Sequence, residues 1–150
     1  MGARAIGIYS IFVISDNGVV LVLQRATHHT LRALGAALAG LELTAAEINA
    51  LANLADGRVR SVSRLSAETG TRATTLTGVL DRLERRGYLT RRLDSADRRS
   101  FLLTLTEEGR LAAARVRAAV TDLERAALAG LSADQIAGYH AVVAALQEVC

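Results

Sequence analysis

Apolar residues recur at three- and four-residue spacing along most of this chain, and the pattern gives way to short extended runs in one stretch near the middle. Leu76, Leu80 and Leu83, with Val79, share one face of a helix predicted over 71–86, with Thr71 as its cap and Gly87 as its stop. Upstream, Ile48, Leu51, Ala52 and Leu54 form a stripe behind Thr44-Ala45-Ala46-Glu47. That tetrad is a capping box: the Thr hydroxyl accepts from the Glu amide while the carboxylate reaches back to the Thr amide. Asp56-Gly57 ends this helix, 59–62 admits a short strand, and a short helix over 63–69 turns Leu65 inward and stops at Gly70. Residues 89–93 and 100–105 read as two strands around Asp94-Ser95-Ala96-Asp97-Arg98-Arg99, a loop longer than a tight turn. Thr106 caps a long helix over 107–129, whose first turn carries Glu107 and Glu108, favourable to the helix dipole. Gly130 ends it, and Ser132-Ala133-Asp134-Gln135 is a second capping box that opens a last helix.

The start of the chain admits two patterns. Asn17-Gly18 between apolar runs is a hairpin signal. Against it, Leu23, Leu31, Leu34 and Leu38 continue a helical spacing, so a helix from Val19 is the favoured reading and 1–18 become an arm or extra helix. The apolar run over 5–15 follows Arg4 as a signal peptide would, but it falls short of the ~20 residues that span a bilayer. No small-residue cleavage site follows, and a cytoplasmic location is expected, without membrane contact.

Composition sharpens the fold class. With 150 residues, 51% of them hydrophobic and dominated by Ala and Leu, and with no Pro, the chain is expected to be mainly α, large enough for a core. Aromatics at 3% are too few to stack single-stranded nucleic acid. Cys150 stands alone, which excludes an intramolecular disulfide. The long helices carry more apolar surface than one small domain can cover (Leu111, Val116, Val120, Leu123, Leu128, Ile136, Val142, Val143 and Leu146); some of it packs within one chain, and the excess predicts a helical homodimer.

Charge is sharper still. Every cation is Arg, and the net charge of +3 hides an asymmetry: 58–99 hold 11 Arg against 5 acids, a net of +6, while the rest carries −3. Such a basic block fits a polyanion. On a wheel with Leu76, Leu80 and Leu83 inward, Thr71, Thr74, Gly78, Asp81, Arg82 and Arg85 face outward, with Thr75 and Thr77 on the flanks. Small hydroxyl residues near a helix N-terminus let the backbone approach a duplex and meet phosphates or base edges, with Arg72 at the entry. The loop after the first strand presents Arg98 and Arg99 as a minor-groove finger, where narrow grooves concentrate negative potential. Asp97 is expected to orient one neighbouring guanidinium bidentately.

The run LDRLERRGYLTRRLDSADRRSFLLTLTEEGR resembles the MarR family of bacterial transcriptional regulators, and the same order of parts extends from about residue 43 to 110. The resemblance implies a winged helix-turn-helix over 43–106, with a small β-hairpin wing, and dimerisation helices over 19–42 and 107–150. It implies double-stranded DNA as partner, a pseudo-palindrome with half-sites ~10 bp apart, Arg99 in the minor groove and Asp97 bracing it. Gly78 departs from the family pattern, where a basic or larger polar residue is frequent, and shifts base reading toward Arg72, Thr74, Thr75 and Thr77. Many members respond to small phenolic or lipophilic anions bound between the dimer helices and the DNA lobe. His28, His29 and Arg32 are the candidate residues for such an effector.

No metal or other cofactor is expected. His28 and His29 are adjacent, so on a helix they point about 100° apart, and Cys150 sits at the chain end, away from the position of a redox switch. No phosphate-cradling Gly motif, HExxH or Ser-His-Asp spacing appears, which excludes the common enzyme classes. The reading is a ligand-released, dimeric DNA-binding repressor. The alternative is a winged-helix interaction module without specific DNA binding, favoured by Gly78 and opposed by the basic block.

Overall fold

The computed structural model describes residues 18–149. The expected arm, apart from Gly18, and Cys150 lie outside the described residues. The chain runs α1 (Val19–Ala37), a 3-10 turn (Ala39–Leu41), α2 (Ala45–Leu54), β1 (Arg60–Ser61), α3 (Val62–Thr69), α4 (Ala73–Arg85), β2 (Leu89–Leu93), β3 (Phe101–Leu105), α5 (Glu107–Leu128) and α6 (Ala133–Val149). This is the expected class, mainly α with a small antiparallel sheet in a winged-helix arrangement. Val19 opens a helix, so the hairpin alternative, which needs a strand there, is not adopted.

Local chemistry sets the boundaries. Both capping boxes form: Thr44 with Glu47 at α2, and Ser132 with Gln135 at α6. Thr106 Oγ1 accepts the Gly109 amide at 3.0 Å and opens α5. Gly70 ends α3 at φ +64°, a left-handed conformation that costs a residue with a Cβ. Ser61 caps α3, accepting from the Arg64 amide, so the helix opens at Val62, one residue before the expected start. The sheet order is β1-β3-β2, and the pairs Arg60↔Leu103 and Leu89↔Leu105 fix the register. Thus the short strand admitted over 59–62 exists as two residues, hydrogen-bonded to the strand after the wing.

The core lies within the lobe. Leu51, Leu65, Leu80, Leu83, Leu103 and Val116 are fully buried, joined by Leu38, Ile48, Leu54, Leu76, Val79 and Leu89. Of the stripe read on α2, Ile48, Leu51 and Leu54 are buried; Ala50 is buried in place of the half-buried Ala52. α2 packs on α5 and touches α3 and α4, so one helix ties α3 and α4 to the long helix α5. The base of α5 is pinned to the start of β2, because the Thr106 amide donates to the Tyr88 carbonyl at 3.1 Å and the Thr106 hydroxyl to the Gly87 carbonyl.

Contacts group the chain into two compact units, Met1–Ala33 and Leu34–Cys150. Within the first, the described part of α1 buries no residue, and Val19, Val20, Leu21 and Val22 are exposed. Within the second, α6 buries none either, and Leu111, Leu131, Tyr139 and Val142 face solvent. No described helix is long and apolar enough to cross a membrane.

Candidate nucleic-acid interface

α4 and the wing carry the residues singled out for DNA. The helix begins at Ala73 behind Arg72, which adopts the cap position but offers no side-chain hydrogen bond. Thr71 is therefore not the cap. Its carbonyl accepts the Ser66 hydroxyl at 2.6 Å and its amide donates to Thr69 Oγ1, so it is spent on the turn that joins α3 to α4. Arg72, Thr74, Thr75 and Thr77 are exposed at the entry of α4. The Thr77 hydroxyl donates to the Ala73 carbonyl at 2.9 Å, which leaves it only as an acceptor toward a ligand.

The wing loop is ordered by its acids through the backbone. Asp94 Oδ1 accepts the Ala96 amide at 2.9 Å, and Asp97 Oδ1 accepts the Arg99 amide at 3.0 Å. The loop is closed by the bonds Asp94 N to Ser100 O and Ser100 N to Asp97 O. Asp97 thus orients Arg99 by fixing its main chain, not by gripping a guanidinium as expected. A carboxylate two residues ahead of an amide meets that amide at far lower entropic cost than a mobile Arg head.

The basic block divides into paired and unpaired cations. Arg60 bridges Asp56 and Glu68 at 2.6 and 2.5 Å, and Arg64 shares Glu68 at 2.7 Å. Hydrogen bonds from Arg60 hold the Asp56 carboxyl well below the usual range, and Arg64 with Arg60 lowers Glu68. Arg91 of β2 is held against Asp81 and Glu84 of α4. Its Nε lies 3.0 Å from Glu84 Oε2 yet is poorly aligned for a hydrogen bond, so the contact is an ion pair only. Arg82, expected to face DNA, instead donates from Nε to Glu47 Oε1 at 3.1 Å. Arg85 and Arg86 donate to main-chain carbonyls. Among the described residues, Arg72, Arg92, Arg98 and Arg99 make no side-chain hydrogen bond or ion pair, and all four are exposed. Arg92 was not singled out from the sequence. Its position one pair short of the strand end, opposite Leu102, was the available signal.

Glu47 was legible as a cap residue but not as a buried charge. It is the one charged residue buried among those described. Burial pushes its carboxyl up; the Thr44 amide, the Thr44 hydroxyl and Arg82 together outweigh this and leave it below the ordinary glutamate value. A lowered folded-state value means the stabilisation is complete above the unfolded value of about 4.3 and is lost as pH falls through the lowered one. Thermal melts against pH should show Glu47→Gln, which keeps a cap acceptor, with a flatter acid limb than the wild type. Superimposable limbs would count against the assignment.

His28, His29 and Arg32 are exposed on α1. His28 borders a surface hollow of about 240 Å³ with Leu21, Gln24 and Arg25, while His29 and Arg32 do not line it. Among the described residues, no group of three His, Cys, Asp or Glu could hold a metal ion.

Residues 39–100 match the model of the MarR family. The chain is similar to the solved structure of a probable transcriptional regulator from Pseudomonas aeruginosa, at 28% identity and a TM-score of 0.73, covering 87% of this chain and 98% of that one. It is also similar to BpsR of Bordetella bronchiseptica, whose DNA binding is regulated by 6-hydroxynicotinic acid, at 28% identity and a TM-score of 0.69, covering 87% and 91%. A mutant MarR from E. coli complexed with operator DNA shares the fold at 24% identity and a TM-score of 0.73, covering 89% and 94%. No curated protein matches the sequence. The family match over 39–100, the lobe that holds α4 and the wing, with likeness to solved regulators over most of the length, supports a winged-helix transcriptional regulator of the MarR type.

Proposed function

We propose that this regulator is a homodimeric repressor that grips a pseudo-palindromic operator and is released by a small-molecule ligand. The observation that carries this reading is the distribution of unpaired cations. The other cations between 58 and 99 are engaged inside the lobe, Arg58 most loosely, at 3.7 Å from Asp56, whereas Arg72, Arg92, Arg98 and Arg99 are left at the entry of α4 and along the wing. In this reading Thr74, Thr75 and Thr77 approach base edges in the major groove, and Arg98 and Arg99 enter the adjacent minor groove. Half-sites stand ~10 bp apart, one for each protomer. The exposed apolar residues of α1 and α6 support self-association, since neither helix buries a residue within one chain.

The effector would be a small phenolic or lipophilic anion, and His28, His29 and Arg32 of α1 supply donors and positive charge for it. Its effect would be to alter the separation of the two α4 helices. BpsR, similar over most of the chain, supports a ligand-regulated reading.

The test is a gel shift on DNA upstream of the protein's own gene, with competitor DNA and a salt series. Arg99→Ala should weaken binding and reduce the slope of log K against log salt by about one. An unchanged slope would remove Arg99 from the interface. No retardation of any fragment would favour an interaction module that has lost specific DNA binding. Light scattering should give twice the chain mass; a monomer at micromolar concentration would overturn the dimer.

A further inference from the structure

Two arginines one turn apart, Arg82 in the last turn of α4 and Arg86 at its C-cap, point away from the DNA-facing set. Arg82 reaches Glu47, the third residue of α2, and Arg86 donates to the Glu42 carbonyl at 2.9 Å and to the Leu41 carbonyl at 2.5 Å. Both therefore hold the same stretch, the end of the 3-10 turn and the first turn of α2. Glu42 sits in that stretch at φ +48°, the one described residue other than glycine in the left-handed region. A backbone conformation of that kind persists where its surroundings over-determine it, and the Arg86 bond to its carbonyl is one such constraint.

The Glu47 side chain does more than a cap requires. One oxygen completes the box, accepting the Thr44 amide at 2.7 Å and the Thr44 hydroxyl at 2.9 Å. A glutamine would serve that role equally. The other oxygen is committed to Arg82, 35 residues away in sequence. Burying a charge merely to cap a helix is costly, so the full carboxylate makes sense only with the guanidinium. A Cβ at Gly78 would lie 3.8 Å from the Arg82 Nη1, an ordinary contact, so the guanidinium passes beside this position along α4 and a small side chain there is compatible with the clamp.

We infer that Arg82 and Arg86, with Glu47, are positioning residues that fix the recognition helix against α2 and thereby set which half-site spacing the dimer reads. Apolar helix faces can slide over one another at little cost, whereas two polar contacts one turn apart at the C-terminal end of α4 fix rotation and register together. α2 in turn packs on α5. The orientation of α4 is thus referred to the long C-terminal helix through α2. Arg82 contributes to operator affinity without touching DNA. The spacing part of the inference rests on the dimeric DNA-binding reading; the clamp does not.

The experiment has two arms. Without DNA, amide hydrogen exchange is followed across 41–47 and 73–85 in the wild type, Glu47→Gln and Arg82→Gln. Both segments should exchange faster together in either variant, and unchanged protection in both overturns the clamp even if no DNA is ever bound. On the operator fragment recovered from the upstream DNA, each variant should bind about tenfold more weakly, as for loss of a charged hydrogen bond. The salt slope should stay at the wild-type value, and discrimination against an operator with one base pair added between half-sites should shrink. A slope lowered by about one in Arg82→Gln would mean a lost phosphate contact and overturn the positioning role. So would wild-type affinity and spacing preference in both variants. Arg99→Ala, run alongside, should lower the slope, which separates failure of the clamp from failure of the DNA-binding reading.

Discussion

Replacing Gly109 by alanine should unseat α5 and lower the melting temperature by on the order of 10 °C. Helix propensity alone argues the opposite, since alanine inside a helix is favoured over glycine by ~1 kcal/mol. Geometry decides against propensity here. An alanine Cβ would stand 1.7 Å from the Tyr88 carbonyl oxygen and 2.7 Å from its carbon, both main-chain atoms. That carbonyl cannot swing aside without losing the Thr106 amide, and Thr106 is itself tied to Gly87 and caps α5. Overpacking of about 1–3 kcal/mol therefore adds to two or three hydrogen bonds, each worth roughly 1 kcal/mol. A calorimetric scan of the variant reads the effect. A melting temperature equal to or above the wild type would mean that the first turn of α5 does not rest on the Tyr88 backbone.

Leu80→Ala should cost about 2–5 kcal/mol, the range for a large-to-small change in a close-packed core. Leu80 is fully buried on the inner face of α4, beside Leu76, Val79 and Leu83. Its loss opens a void beneath the helix proposed to read DNA, so stability and affinity should fall together. At a temperature and denaturant concentration where the variant is still folded, its salt slope should match the wild type, because no cation has been removed. Urea unfolding that leaves the midpoint in place would show that α4 is held by something other than this leucine face.

Elements with local causes were legible in the sequence. The leucine spacing of α4, the capping boxes at Thr44 and Ser132, the Thr106 cap and the two wing strands all follow from contacts within four residues or from period alone. Features that depend on distant partners were not. The two-residue β1 exists because Arg60 and Ser61 pair with Leu103 and Leu102, some forty residues on. Arg82 sits on the outward arc of a wheel, yet its long side chain turns back to Glu47, which no wheel reports. Asp97 was read as an Arg partner, but the amide two residues on is nearer and already placed. Thr71 lost the cap because Ser66 and Thr69 claim its backbone. The apolar surplus of α1 and α6 was visible from composition and stays uncovered within one chain.

The sheet order leaves two open edges, and each is guarded in a different way. β1 is too short, at two residues, to template another strand. β2 is five residues long, but its centre is Thr90-Arg91-Arg92, and an approaching strand would have to strip water from Arg92 while Arg91 stays locked to α4. Short edges and charged edges both discourage strand addition between molecules. The arginines proposed to meet a polyanion at the wing therefore also keep one wing from sticking to the next, so on that proposal colloidal stability and nucleic-acid affinity rest on the same few side chains.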